Sequence, residues 1–237
     1  NLKLPKEHQQ KLQKVLTTLF KLQKPETIET LSGGFSSPGL YKITIRGKPY
    51  VVRYANSNRS QKDRERELHA MMISSKRGLA PRVLYGDAKA GIILMEFVEN
   101  RRSLRSEVLK NANIEALAKT ISKLHQGPQF NNFVSVIEIA RDDEKSIKGK
   151  NLKIITEASG RLNEIEKTLE SQLTRKPCHN DLNPNNILFS DGKVILLDWE
   201  LSGQQDPFFD IATIFILYAF EKKHEDVFLK AYFGHNP

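Results

Sequence analysis

The chain has 237 residues, 39% of them hydrophobic and 27% charged, enough for one large domain or two small lobes around a real core. That balance excludes extended disorder and collagen-like repeats. A single cysteine excludes an intrachain disulfide or a multi-cysteine zinc site, and the longest apolar stretch, 211–220, is too short to cross a bilayer.

The formal net charge of +9 suits a polyanion or a phosphate-bearing substrate. The basic residues are nevertheless scattered and no aromatic-interleaved basic module accompanies them, so neither nucleic acid nor membrane is an expected partner. With one cysteine and no visible secretory signal, the expected compartment is the cytoplasm. The sequence specifies no oligomeric state.

Leu12, Val15, Leu16, Leu19 and Phe20 recur at i, i+3, i+4, i+7 and i+8, which predicts an amphipathic helix over 5–23. The period then switches to two: Tyr41, Ile43 and Ile45 alternate with Lys42, Thr44 and Arg46. Gly47-Lys48 and the run 49–54 follow, predicting a hairpin with Gly47 at the first turn position. A helical pattern over 57–76 is stopped by Gly78 and Pro81, and 83–85 and 92–97 read as short strands.

Further on, Ile114, Leu117, Ile121 and Leu124 give a helical face ending at Gly127-Pro128. The charged stretch 141–151 reads as a solvated loop or helix end. A helix is expected over 160–173 with Leu162, Ile165 and Leu169 inward, and one or two helices over 209–233. The change from strand-rich to helix-rich character predicts two units, 1–97 and 98–237.

The chemistry concentrates in 178–210, CHNDLNPNNILFSDGKVILLDWELSGQQDPFFD. Two apolar runs, 187–190 and 193–197, are joined by Asp191-Gly192, a strong hairpin signal. Pairing outward sets Ser190 opposite Lys193 and Asn186 opposite Leu197. Asn186 and Asp198 then emerge together at the open end, where an amide oxygen and a carboxylate form a hard ligand set suited to Mg²⁺. Asp181, in the preceding loop, lies within reach of the same spot.

The wording HNDLNPNNI, then LLDWE, then DPFFD resembles the choline/ethanolamine kinase and aminoglycoside phosphotransferase superfamily, the small bacterial choline-kinase-like proteins above all, with thiamine kinases as near neighbours. The resemblance implies a bilobal α+β protein-kinase-like fold. Its N-terminal lobe would be an antiparallel sheet with one long helix, and its mainly helical C-terminal lobe would carry a catalytic hairpin. It implies ATP and Mg²⁺ as cofactors and transfer of the γ-phosphoryl group to the hydroxyl of a small molecule, choline or a related amino alcohol. Thiamine and aminoglycosides are the alternative acceptors, and a catalytically inactive kinase-like binding protein is the alternative of another class. Much of the family's substrate pocket comes from helices near and beyond position 237.

The resemblance also implies roles. Asp181 is the base that accepts the hydroxyl proton, Asn186 and Asp198 hold the metal, and Glu200 serves a second metal. Gly33 and Gly34, within LSGGFSSPG, bring backbone amides to the phosphates. Arg53 contacts the phosphates and pairs with Glu67, while backbone groups of Glu96 and Val98 bond adenine. Asp210 braces the catalytic loop; read without the resemblance, it caps the helix that follows.

Asn183 stands where protein kinases carry a lysine, Trp199-Glu200 replaces Phe-Gly, and no activation segment follows, so peptide substrates are not expected. Cys178 reads as a buried filler, His179 and Trp199 as core, and His125 as a partner of its helix's C-terminal dipole. Tyr218, Phe220, Tyr232 and Phe233 suit either helix packing or a substrate cage.

Overall fold

The computed structural model describes residues 4–31, 39–56, 58–99, 108–134, 151–169, 174–190 and 192–235. Helix α1 (Lys6–Phe20) precedes the strands β1 (Thr27–Thr30), β2 (Leu40–Ile45) and β3 (Lys48–Tyr54); helix α2 (Gln61–Lys76) is followed by β4 (Val83–Asp87) and β5 (Ile92–Glu96). The five strands form one sheet of order β1-β2-β3-β5-β4, antiparallel throughout.

Strand alternation divides the sheet's side chains between two layers. Tyr41, Ile43, Val52, Tyr54, Ile92 and Leu94 pack with Leu12, Val15 and Leu16 of α1. Val51, Ile93 and Met95 face the other way and join Ala70 and Met71 of α2. Arg53 shares that second face with Val51, so the period of two carries it toward the rest of the protein. The second core continues without a break through Leu79, Ile114, Leu117, Ile121, Leu196, Trp199 and Phe228.

The helical lobe contains α3 (Asn111–His125), α4 (Asn151–Leu169), α5 (Pro207–Leu217) and α6 (Lys222–Phe233). Two short ribbons lie among them: β6 (Lys176–Cys178) pairs with β9 (Gly203–Gln205), and β7 (Ile187–Ser190) with β8 (Lys193–Leu196). The Leu196 N–H donates to the Leu79 carbonyl at 2.8 Å, tying the β7–β8 hairpin to the chain leaving α2.

Three expectations are corrected. The β2–β3 turn is Arg46-Gly47, with φ of 51° and 73°, closed by the Ile45–Lys48 pair, so Gly47 is its second central residue and not its first. Positive φ at both positions is the type I′ geometry that matches strand twist, and the Arg46 guanidinium is held by the Phe20 carbonyl at 3.0 Å. Helix α2 starts at Gln61, because Ser60 accepts from the Asp63 N–H and caps it.

Helix α4 starts at Asn151, not at 160. Its first turns leave Ile154 67% exposed while Ser159 is buried, so no apolar stripe announces them. The chain 209–233 resolves into two helices, the second opening on a reciprocal cap between Glu221 and His224. The charged stretch up to residue 150 and the side chains of Leu162, Ile165 and Leu169 lie outside the described residues, as do Gly33, Gly34 and Asp191.

Candidate active site

Helix α5 begins at Pro207, pre-set for a first helical position, with Asp206 accepting from the Phe208 N–H at 2.9 Å. The cap is therefore Asp206. Asp210, read as a possible cap, instead points into the protein with no exposure and receives three donors. The backbone N–H groups of His179 and Asn180 each donate at 2.8 Å, and His125 Nε2 lies at 3.0 Å. A buried carboxylate is tolerable only when so satisfied, and here two of its partners are the backbone of the loop that follows β6.

His179 is fully buried, which lowers its pKa and keeps the ring neutral. The hydrogen-bond network assigns the tautomer: Nε2 donates to the Leu197 carbonyl at 2.9 Å and Nδ1 accepts from the Asp181 N–H at 3.3 Å. The ring leans on Trp199 at 4.7 Å between centroids. One side chain thus couples the loop carrying Asp181 to the end of the β7–β8 hairpin. Asn180 takes a left-handed φ of 64°, and its side chain donates to the Leu201 carbonyl.

The Asp181 carboxylate is held from both sides, Oδ1 by Asn183 Nδ2 at 2.9 Å and Oδ2 by Asn186 Nδ2 at 2.7 Å. Asn183 also caps the single 3₁₀ turn Pro184–Asn186. Ser190 pairs with Lys193, and beyond β7 and β8 the Leu197 N–H donates to the Asn186 carbonyl at 2.8 Å, continuing the predicted register. Because Nδ2 of Asn186 is committed to Asp181, its Oδ1 is the atom left for a cation.

Asp198 follows with a left-handed φ of 59°, its Oδ1 3.3 Å from Arg53 Nη1. Arg53 Nη2 is paired with Glu67 Oε1. Arg59 Nη1 reaches Glu67 Oε2 at 3.2 Å and Glu200 Oε2 at 2.6 Å, and its Nη2 donates to the Glu200 carbonyl. Five charges therefore run across the cleft as Asp198–Arg53–Glu67–Arg59–Glu200. Glu67, only 3% exposed, is flanked by both guanidinium groups. Burial lowers the Arg53 pKa, with Asp198 and Glu200 opposing it, and arginine stays charged in such a setting.

Glu96, at the end of β5, has an exposed side chain facing Arg82, while its N–H is taken by the Arg82 carbonyl at 2.9 Å. Its carbonyl is thus the group it offers to a ligand. Val98, two residues on, is half-buried.

Two polar residues carry more than the sequence suggested. His125 is 3% exposed and lies between Asp210 and Tyr232, whose hydroxyl is 2.7 Å from Nδ1, so it is a buried bridge and no mere dipole partner. Its placement beside Leu124 on an apolar stripe was the available signal. Arg59 carried no periodic signal; only the Ser60–Asp63 cap placed it, just ahead of α2.

His125, Cys178 and Asp210 also bring a nitrogen, a sulfur and an oxygen within 4.8 Å of one another. Burial raises the Cys178 pKa, keeping it a thiol that donates to the Gln205 carbonyl, and Asp210 is spent on backbone donors. That cluster is a hydrogen-bonded hub. Tyr218, its pKa pushed up to about 12 by burial, and Phe220 pack in the helix core.

Comparison with known proteins gives concordant results. Protein LicA of Haemophilus influenzae strain Rd is 29% identical over 199 residues, 80% of this chain and 74% of that protein. A second Haemophilus influenzae LicA is 29% identical over 209 residues, 84% of this chain and 61% of its own length. In three dimensions the chain is similar to choline kinase LicA from Streptococcus pneumoniae (TM-score 0.76, 23% identity, covering 95% of this chain and 80% of that one). It is also similar to APH(2″)-IIa in its streptomycin–ATP ternary complex (TM-score 0.68, 17% identity, covering 99% and 84%). The fold is thus the bilobal protein-kinase-like one. A family model matches from β1 through α6, residues 27–236, and the chain belongs to the phosphotransferase enzyme family.

Proposed function

We propose that the chain transfers the γ-phosphoryl group of ATP to the hydroxyl of a small molecule, choline or a related amino alcohol, in the cytoplasm, with residues 1–97 as the nucleotide lobe and 98–237 as the catalytic lobe. The observation that carries this reading is the Asp181 carboxylate, pinned by Asn183 and Asn186 on a loop backed by Asp210. Asp181 takes the proton of the acceptor hydroxyl as the new bond forms. Pinning by two amides fixes where that carboxylate points before substrate arrives, which is where positional catalysis begins.

Asn186 Oδ1, Asp198 and Glu200 are the residues that would hold Mg²⁺, and as oxygen donors they fit it in kind. Bound there, Mg²⁺ supplies neutralisation of the charge that spreads over the phosphates. Arg53, oriented by Glu67, grips a phosphate oxygen with its planar fork. The Glu96 carbonyl and the Val98 N–H receive adenine, and the resemblance assigns Gly33 and Gly34, outside the described residues, to the phosphates.

The choline assignment is supported by the similarity to choline kinase LicA from Streptococcus pneumoniae. The resemblance to APH(2″)-IIa favours an aminoglycoside as the second reading. ADP release measured with choline, ethanolamine, thiamine and an aminoglycoside tests the set. Choline is expected to give the highest kcat/KM. Turnover with an aminoglycoside alone would move the acceptor, and ATP binding without turnover on any of them would overturn phosphoryl transfer.

A further inference from the structure

Arg59 has no part in the reaction as read above, yet it bridges Glu67 and Glu200 across the cleft. It precedes Ser60, whose hydroxyl accepts from the Asp63 N–H at 3.1 Å and donates to Asp63 Oδ2 at 2.6 Å, so the cap of α2 fixes its backbone. From there the guanidinium crosses to Glu200, meeting both the carboxylate at 2.6 Å and the main-chain carbonyl at 3.2 Å, while still touching Glu67.

We propose that Arg59 is the resident counter-cation of Glu200, holding that carboxylate in place and competing with the divalent cation for it. The inference rests on the reading of Glu200 as a metal ligand. A guanidinium nitrogen 2.6 Å from a carboxylate oxygen commits one of its lone pairs, leaving fewer for a metal ion that binds at about 2.1 Å, and two cations on one carboxylate repel.

The neighbouring pair differs. Arg53 meets Asp198 at a looser 3.3 Å and is anchored to Glu67 on its other nitrogen. A cation arriving at Asn186 and Asp198 therefore meets a weak competitor, and one arriving at Glu200 a strong one. Two inequivalent cation sites follow, with Arg59 setting the weakness of the second. Displaced from Glu200, the guanidinium stays on Glu67, beside the phosphates.

Mn²⁺ is the probe, its free concentration followed by electron paramagnetic resonance during titration of the protein with a non-hydrolysable ATP analogue. The parent is expected to show a tight and a weak class, and Glu200→Gln to lose the weak one. In Arg59→Gln the weak class should tighten by roughly two- to fivefold, the range set by a partly exposed ion pair. Arg59→Lys, which keeps the charge without the fork, should fall between. An unchanged or weakened second class in Arg59→Gln, with Glu200→Gln still losing it, overturns the proposal and leaves Glu200 a ligand. Two intact classes in Glu200→Gln, or a single class in the parent, remove Glu200 from the metal site and the proposal with it.

Discussion

At the catalytic loop, Asp210 meets two backbone N–H groups and His125 without any exposure; across the cleft, Arg53, Arg59, Asp198 and Glu200 are paired while 16%, 22%, 34% and 31% exposed. The first arrangement sets two backbone N–H groups and a histidine ring nitrogen on a fully buried anion. The second uses ions that water and incoming cations reach, worth little to stability individually and easily re-paired. The loop carrying Asp181 is fixed by buried hydrogen bonds, whereas the cleft is spanned by half-exposed charge.

Breaking the fixed side at its tip gives the largest effect. Asp181→Asn keeps the shape and one of the two amide contacts, since only one of its terminal atoms can still accept from Asn183 or Asn186, and it has no basic oxygen for the hydroxyl proton. Turnover should fall by about 10²–10⁴ with nucleotide affinity nearly unchanged, as checked by steady-state kinetics beside a direct ATP-binding titration. A fall of less than tenfold removes Asp181 as the base.

Asp210→Ala attacks the support behind it. Two backbone donors and His125 lose their acceptor inside the core, at a cost of at least about 3 kcal/mol in urea unfolding. Activity should drop together with stability. Activity lost at unchanged stability would place Asp210 in the chemistry instead.

The exchangeable side responds differently. Arg53→Ala should raise the KM for ATP by about tenfold, the worth of one charge-assisted hydrogen bond, with Arg53→Lys between it and the parent. Unchanged ATP kinetics would leave Arg53 a structural charge only.

The smallest effect is in pH. Burial holds the His179 pKa below its ordinary value, so below about pH 6.5 the unfolded chain binds a proton that the folded one refuses. Stability from this group is intact above that value and shrinks as pH falls. Melting temperatures from pH 7.5 to about 5.5 should decline less steeply in His179→Gln than in the parent; equal slopes would assign the pH dependence elsewhere.

The contrast also explains what could be read from the residues alone. The β7–β8 register follows from a period of two and a turn dipeptide, both local, and Ser190 meets Lys193 accordingly. The face of β3 that carries Arg53 follows from the same alternation. Arg59 is one charge in a polar run, and Glu200, 141 residues away, is what distinguishes it. His125 likewise meets Asp210 across 85 residues, so its helix was legible and its partner was not. The opening turns of α4 lack a stripe because Ser159 is buried there and Ile154 is not.

The left-handed backbone at Asp198 restricts chemical replacement there. Glycine and asparagine accept a φ of 59° readily but carry no charge, whereas glutamate keeps the charge and adds a methylene to a side chain poorly suited to that backbone. Conformation and charge make separate demands on this one position, and aspartate is the side chain that meets both. Variants selected for backbone comfort at 198 would be expected to drift toward uncharged residues, and variants selected for charge toward a strained turn.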